Sequence, residues 1–273
     1  MTNTQLRIIS AVAMMLIVCF AAYVGPKGLL ILVFVSGILL VDEFLFNMLD
    51  VARSHFSYLT SQVTFVLGFI VLNIVDVNMQ NFSIFIWAGV VLNIFLSGYL
   101  FFEPMEKQVT LSILKKYTYM SGIIFLVPLV GLTFLVHQDN WLNYILLLLL
   151  VTYSVDTGAW FFGKNFGNKK LWPKISPNKT LTGAVSGALT SVFLSSIVIY
   201  FTFNKLSPPV VVCLFILAIV AQVGDLVESK LKRQLNVKDS SNLIPGHGGI
   251  YDRIDSLVFV APFYAMMIKE YFI

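Results

Sequence analysis

The sequence predicts an all-α, polytopic transmembrane helix bundle of about nine spans, with its N-terminus in the cytoplasm. Three observations carry that reading. Of 273 residues, 58% are hydrophobic and 12% charged, against about 25% charged in soluble domains. Mean hydropathy is +0.86, and apolar runs repeatedly approach the ~20 residues a helix needs to cross the hydrocarbon core. The basic residues gather in alternate connecting segments, as the lysine and arginine bias of cytoplasmic loops requires.

The apolar runs place spans at roughly 6–25, 28–49, 56–75, 83–102, 118–136, 141–163, 181–203, 208–228 and 254–272. The first is too long for a secretory signal and lacks a small-residue cleavage site, so it reads as a helix. No internal repeat, low-complexity tract, soluble domain or nucleic-acid-binding module is visible. Cys19 and Cys213 lie inside apolar stretches and behave as small hydrophobes. The chain divides into N-terminal helices, 1–140, and a C-terminal region, 141–273, which carries the long loops 164–180 and 229–253.

With the N-terminus in the cytoplasm, fifteen basic residues fall on the cytoplasmic side. They are Arg7, Arg53, Lys107, Lys115, Lys116, Lys164, Lys169, Lys170, Lys174, Lys179, Lys230, Lys232, Arg233, Lys238 and Arg253. Only Lys27, Lys205 and Lys269 fall on the other. Residues 103–117 mix charges with Val109, Leu111, Ile113 and Leu114 and read as an interfacial segment. The two long loops are basic and rich in Gly, Pro, Ser and Asn, and loops of that length in a compact bundle are usually functional.

The polar chemistry sits in the last loop and its flanking helices. Asp225, Glu228, Ser229 and Lys232 are spaced i, i+3, i+4 and i+7, so a helix puts them on one face. Charges continuing an apolar helix are costly unless they line a cavity and meet partners. Asp252 and Asp255 are likewise three apart at the start of the ninth span. Carboxylates suit Mg²⁺, which takes one or two of them together with substrate phosphates. Lysine and arginine neutralise phosphate oxygens, and glycine lets backbone N–H groups approach an anion. His247 is bracketed by glycines in the polar loop, whereas His55 and His137 stand alone at span ends and take no role. Asp42 and Glu43 offer a further acidic group, but adjacent residues point about 100° apart on a helix, so at most one faces the site.

The stretch Ser229-Lys-Leu-Lys232-Arg233, then Lys238-Asp239, Pro245-Gly-His247-Gly248-Gly249 and Asp252-Arg253-Ile-Asp255 resembles the signature of the phosphatidate cytidylyltransferases, the CDP-diacylglycerol synthases. The preceding Gln222-Val-Gly-Asp225-Leu-Val-Glu228 resembles that family too, as does Asp156-Thr-Gly-Ala159 followed by Ser176-Pro177-Asn-Lys179-Thr180. The likeness covers roughly 150–265. One departure is Thr182, where the family usually has Glu or Gln. The resemblance implies transfer of a cytidylyl group from CTP to phosphatidic acid, within a lipid bilayer and without nucleic acid. It also implies Mg²⁺ as one or two ions, with an additional monovalent or divalent cation as an option, and a homodimer. It assigns the expected roles residue by residue. Asp225, Asp252, Lys232, Arg233, Lys238, His247 and Arg253 are catalytic. Ser176, Lys179, Thr180, Ser229, Asp239, Gly248, Gly249 and Asp156 bind substrate, and Asp225, Asp252, Asp255 and Glu228 hold metal. The expected location is the inner (plasma) membrane, with the active site facing the cytoplasm. Related lipid-phosphate acceptors and a transporter are the competing readings; the concentration of charge at one face, rather than midway across the bilayer, disfavours transport.

The nine-span reading makes a direct prediction. A reporter fused to the C-terminus should be found outside the cytoplasm; a cytoplasmic reporter contradicts the span count or the orientation.

Overall fold

In the computed structural model, which describes residues 3–75 and 77–273, the chain is a helical bundle. The first three helices are α1 (Asn3–Val24), α2 (Pro26–Asp42) and α3 (Phe56–Ile70), followed by α4 (Met79–Phe102) and the short α5 (Val109–Lys116). Next come α6 (Ser121–Val136) and α7 (Trp141–Phe166). A hairpin of β1 (Lys170–Trp172) and β2 (Ser176–Thr180) leads into α8 (Leu181–Phe203), α9 (Pro208–Gln234) and α10 (Tyr251–Tyr271). Among the described residues, eight helical segments are long and apolar enough to cross a membrane, which makes this a multi-pass membrane protein. The expected ninth span corresponds to α10, whose Asp252, Asp255, Lys269 and Glu270 make it less apolar. Protein rather than lipid covers much of it, for Val260, Ala261, Tyr264, Ala265 and Ile268 have no measurable exposure.

Local signals set the helix boundaries. Pro26 and Pro208 occupy first-turn positions, where a missing N–H costs nothing. Asn78 caps α4 by accepting from Gln80 N, and Thr180 caps α8 by accepting from Gly183 N. The helix α2 continues through a π-helical turn, Glu43–Met48, and α3 through another, Val71–Val75. Such a turn inserts an extra residue and rotates the side chains beyond it about the helix axis.

Two of the expected loops are partly ordered into regular structure. The segment 164–180 contains the β1–β2 hairpin, which pairs Lys170 with Thr180 and Trp172 with Ser176. Its polar, proline-interrupted sequence gave no two-residue alternation to reveal it. The helix α9 runs on to Gln234 and α10 starts at Tyr251, so the last loop is 235–250 rather than 229–253. Polar residues continue α9 because each finds a partner: Lys230 Nζ, for example, donates to the carbonyls of Tyr99, Leu100 and Glu103 at the end of α4. The expected interfacial segment contains α5, with Leu111 buried and Val109 and Ile113 exposed.

The core is centred on α6 and α10. Of the apolar stretch of α6, 78% is buried, against 11% for α1, so α1 presents Ile8, Met15, Leu16 and Phe20 outward. Helices without a strong hydrophobic drive between them associate by close packing at small residues. Gly131 of α6 shows this: a Cβ there would lie 2.8 Å from the carbonyl carbon and oxygen of Ala261. The contacts Arg7–Gly246, Glu43–Tyr251, Lys230–Glu103 and Arg233–Ile175 bring the N-terminus of α1, the α2–α3 and α4–α5 connections, the hairpin and the α9–α10 loop to one end of the bundle. This is the end that carries the basic excess.

Gly131→Val should therefore lower thermal stability in detergent by about 1–3 kcal/mol. Gly98→Ala in α4, where nothing lies within 4 Å of the new Cβ, should be neutral or stabilise by up to about 1 kcal/mol. Equal melting temperatures for the two variants would contradict this packing.

Candidate active site

Asp225, Glu228 and Ser229 lie on one face of α9, as their spacing demands, and that face meets the first turns of α10. Asp225, Glu228 and Asp255 each offer a carboxylate oxygen, and these oxygens lie within 4.8 Å of one another. Glu228 is 1% exposed, and its Oε1 has no hydrogen-bond partner. A buried, unmatched carboxylate oxygen beside two more carboxylates is an arrangement that a hard cation would complete. The residues present therefore fit a divalent ion.

Two lysines offset part of the negative charge. Lys232 Nζ lies 2.6 Å from Glu228 Oε2 and 2.6 Å from Asp252 Oδ1. Lys179, delivered by β2, forms an ion pair with Asp225, and Ser229 Oγ donates to Asp225 Oδ1 at 3.3 Å. Asp156 of α7 lies within electrostatic range of Asp225, Lys179 and Arg253. Five carboxylates here, those of Asp156, Asp225, Glu228, Asp252 and Asp255, face two contacting lysines. That imbalance also favours a bound cation.

Asp252 takes a different position from the other expected metal ligands. Its Oδ2 accepts from Ser240 N at 2.8 Å, Ser240 Oγ at 3.0 Å and Gly249 N at 2.8 Å. With Oδ1 on Lys232, both oxygens have protein donors, and Asp252 lies outside the three-carboxylate group. It folds the α9–α10 loop onto the site.

The remaining expected residues fall into three groups. Arg233 donates to Ile175 O at 3.4 Å and Val237 O at 3.3 Å, tying hairpin to loop. Thr180 is buried as the cap of α8, and Ser176 is half-buried in β2. Lys238, Asp239 and Arg253 are exposed. Gly248 has φ +84°, a left-handed conformation that favours glycine, and its carbonyl accepts from Ile244 N at 2.8 Å. Gly249 is buried beneath the loop. His247 has a buried Nδ1 without a partner; burial and the charges of Arg253 and Arg7 push its pKa below the usual histidine range.

A groove of about 490 Å³ adjoins the carboxylates between α7, α8 and the hairpin. Asp156 and Lys179 line it next to the cluster, and Trp160, Lys164 and Lys170 line it further out. A groove lined by Lys164, Lys170 and Lys179, with Lys179 paired to Asp225 of the carboxylate group, suits a polyphosphate accompanied by a metal ion.

Sequence reasoning left out Lys230 and settled no role for Glu43. Lys230 lies off the polar stripe of α9, so helical spacing alone gave it no partner. Glu43 was visible as a charge within an apolar run, but its partners are some 200 residues distant.

This geometry accords with the chain's relatives. The chain belongs to the cytidylyltransferase family, which it matches over residues 5–271. It is 48% identical over 125 residues to the phosphatidate cytidylyltransferase of Bacillus subtilis (strain 168), a stretch covering 45% of this chain and 46% of that protein. The Staphylococcus haemolyticus (strain JCSC1435) protein of the same name is 46% identical over 126 residues, 46% of this chain and 48% of the relative. That of Staphylococcus aureus (strain COL) is 42% identical over 153 residues, 54% of this chain and 59% of the relative. The chain thus spans about half the length of the curated relatives it matches.

Removing the charge on Lys232 would leave two buried carboxylates without their shared cation. Lys232→Met should cost about 3–5 kcal/mol, read as a lower melting temperature in detergent. A loss below about 1 kcal/mol would show that Lys232 does not hold this cluster together.

Proposed function

We propose that the chain is a phosphatidate cytidylyltransferase, converting CTP and phosphatidic acid to CDP-diacylglycerol and pyrophosphate. The observation that carries this reading is the group Asp225, Glu228 and Asp255 with its unmatched Glu228 oxygen, in a chain of the cytidylyltransferase family. The names of the relatives supply the acceptor.

The attacking group is the phosphate monoester of phosphatidic acid and the target is the α-phosphorus of CTP. A lipid phosphate oxygen forms the new P–O bond, the bond to the β-phosphate oxygen breaks, and pyrophosphate leaves. The nucleophile is already ionised, so no covalent enzyme intermediate is needed. Both reactants are anions, and the protein's first task is to suppress their repulsion. Asp225, Glu228 and Asp255 would hold Mg²⁺, which supplies charge neutralisation for the reacting phosphates when bound. Lys179 stands between the cluster and the groove, where it can hold the triphosphate. Arg253 and Lys238, both exposed, would hold the lipid phosphate or the departing pyrophosphate. Catalysis then consists of positioning and electrostatics.

The site faces the cytoplasm in this reading, because the end that carries it also carries the basic excess. CTP arrives there from solution, and the lipid enters sideways at headgroup level.

Detergent-purified protein should release pyrophosphate only when CTP, phosphatidic acid and Mg²⁺ are all present, and EDTA should abolish the release. Asp225→Asn and Asp255→Asn, inserted normally, should each lose about 10²-fold or more in rate. Near-normal turnover in either variant would remove that residue from the site.

A further inference from the structure

One carboxylate from the first half of the chain, Glu43, reaches the start of α10. Glu43 is 1% exposed and begins the π-helical turn that ends α2. Its Oε1 accepts from Ile250 N at 2.8 Å and Ser241 Oγ at 2.7 Å. Its Oε2 accepts from Tyr251 N at 2.9 Å and Ser240 Oγ at 3.1 Å. The two main-chain donors belong to the N-terminal end of α10, where N–H groups have no intrahelical acceptor and the helix dipole favours negative charge. Glu43 therefore caps α10 from a helix 207 residues away.

A second observation shows that the loop is moulded to this carboxylate. A Cβ on Gly249 would lie 2.5 and 2.6 Å from the two Glu43 oxygens and 2.0 Å from Ser240 Oγ. No other residue type fits there while Glu43 keeps its place. Ser240 is shared, since its N and Oγ also donate to Asp252 Oδ2. From Asp252 the chain of contacts runs through Lys232 to Glu228.

We propose that Glu43 is a positioning residue for the carboxylate site. It fixes the start of α10 and the serine pair Ser240–Ser241, which sets Asp252, and through Lys232 the orientation of Glu228 toward Asp225 and Asp255. It stands apart from the group Asp225, Glu228 and Asp255, and its oxygens are engaged by Ile250 N, Tyr251 N, Ser241 Oγ and the single Ser240 hydroxyl proton, which it shares with Asp252. The inference rests on the reading of Asp225, Glu228 and Asp255 as a divalent-cation site.

The test uses the full chain in detergent with three readouts: hydrogen–deuterium exchange of peptides covering 239–251, Mn²⁺ binding by electron paramagnetic resonance, and steady-state kinetics. Glu43→Gln replaces an accepting oxygen with an NH₂ group that points donors at donors. Exchange at 249–251 should quicken about tenfold or more, and the Mn²⁺ dissociation constant should rise about tenfold. The kcat should fall by a similar factor, with the KM for CTP changed less than about threefold. Glu43→Asp should recover part of each loss. Asp42→Asn, which touches only the Arg53 and Tyr58 contacts of the neighbouring carboxylate, should leave exchange at 249–251 and Mn²⁺ binding at wild-type values. If Glu43→Gln fails to accumulate, Ser241→Ala removes one of the four donors and should shift exchange and Mn²⁺ binding in the same direction by a smaller factor. Unchanged exchange and Mn²⁺ binding in the variant tested, or equal changes in Asp42→Asn, overturn the proposal. Failure of the underlying reading looks different: wild-type protein would show no saturable Mn²⁺ binding sensitive to Asp225→Asn, while loop exchange would still respond to Glu43.

Discussion

The structure is organised around the cost of holding carboxylates at the end of a lipid-embedded bundle. An ion taken from water into such a setting costs several kcal/mol unless partners compensate. Lys232 answers two of these carboxylates at 2.6 Å each, and Lys179 answers Asp225. The fold serves to deliver those partners. The β1–β2 hairpin brings Lys179 across from the α7–α8 connection. Helix α9 continues past the apolar stretch so that Lys232 falls one turn after Glu228. The α9–α10 loop closes on Asp252. One of the buried polar atoms left unmatched, Glu228 Oε1, lies within the carboxylate group.

The rest of the bundle acts as a frame. Helices α6 and α10 are packed backbone to backbone at Gly131, which fixes the axis from which Asp252 and Asp255 project. Helix α4 ends in carbonyls that receive the Lys230 ammonium, locking α9 in rotation with its carboxylates on the opposite side. Helix α2 contributes the Glu43 cap. Helix α1 is largely lipid-facing, yet Arg7 and Ser10 donate to Gly246 O and Pro245 O of the loop. The N-terminal helices thus bear on the site through a few polar contacts at one end.

Much of this was legible in the sequence, for physical reasons. Apolar runs of bilayer length locate the helices to within a few residues, since lipid admits few alternatives. The stripe Asp225, Glu228, Ser229 and Lys232 was visible because helical spacing is local. The Asp42–Glu43 pair shows both reach and limit. Adjacent residues must diverge, and they do: Asp42 turns to Arg53 and Tyr58, Glu43 to the loop. Which of the two faces the site depends on a π-helical turn and on donors some 200 residues away, and neither leaves a local signal. Asp252 reads as a metal ligand by spacing, but its oxygens are taken by Ser240, Gly249 and Lys232, a tertiary fact. The hairpin escaped notice because its strands of three and five residues are too short for alternation to register.

Cytidylyl transfer to a lipid phosphate at this site shows in the fate of a phosphorus label. Purified protein is incubated with phosphatidic acid, Mg²⁺ and CTP labelled with ³²P at either the α- or the γ-phosphate, and the lipids are extracted. Cytidylyl transfer places the α-label in the lipid fraction and leaves the γ-label in aqueous pyrophosphate. Appearance of the γ-label in lipid would mean phosphoryl rather than cytidylyl transfer, and no label in lipid from either substrate would contradict the proposed reaction.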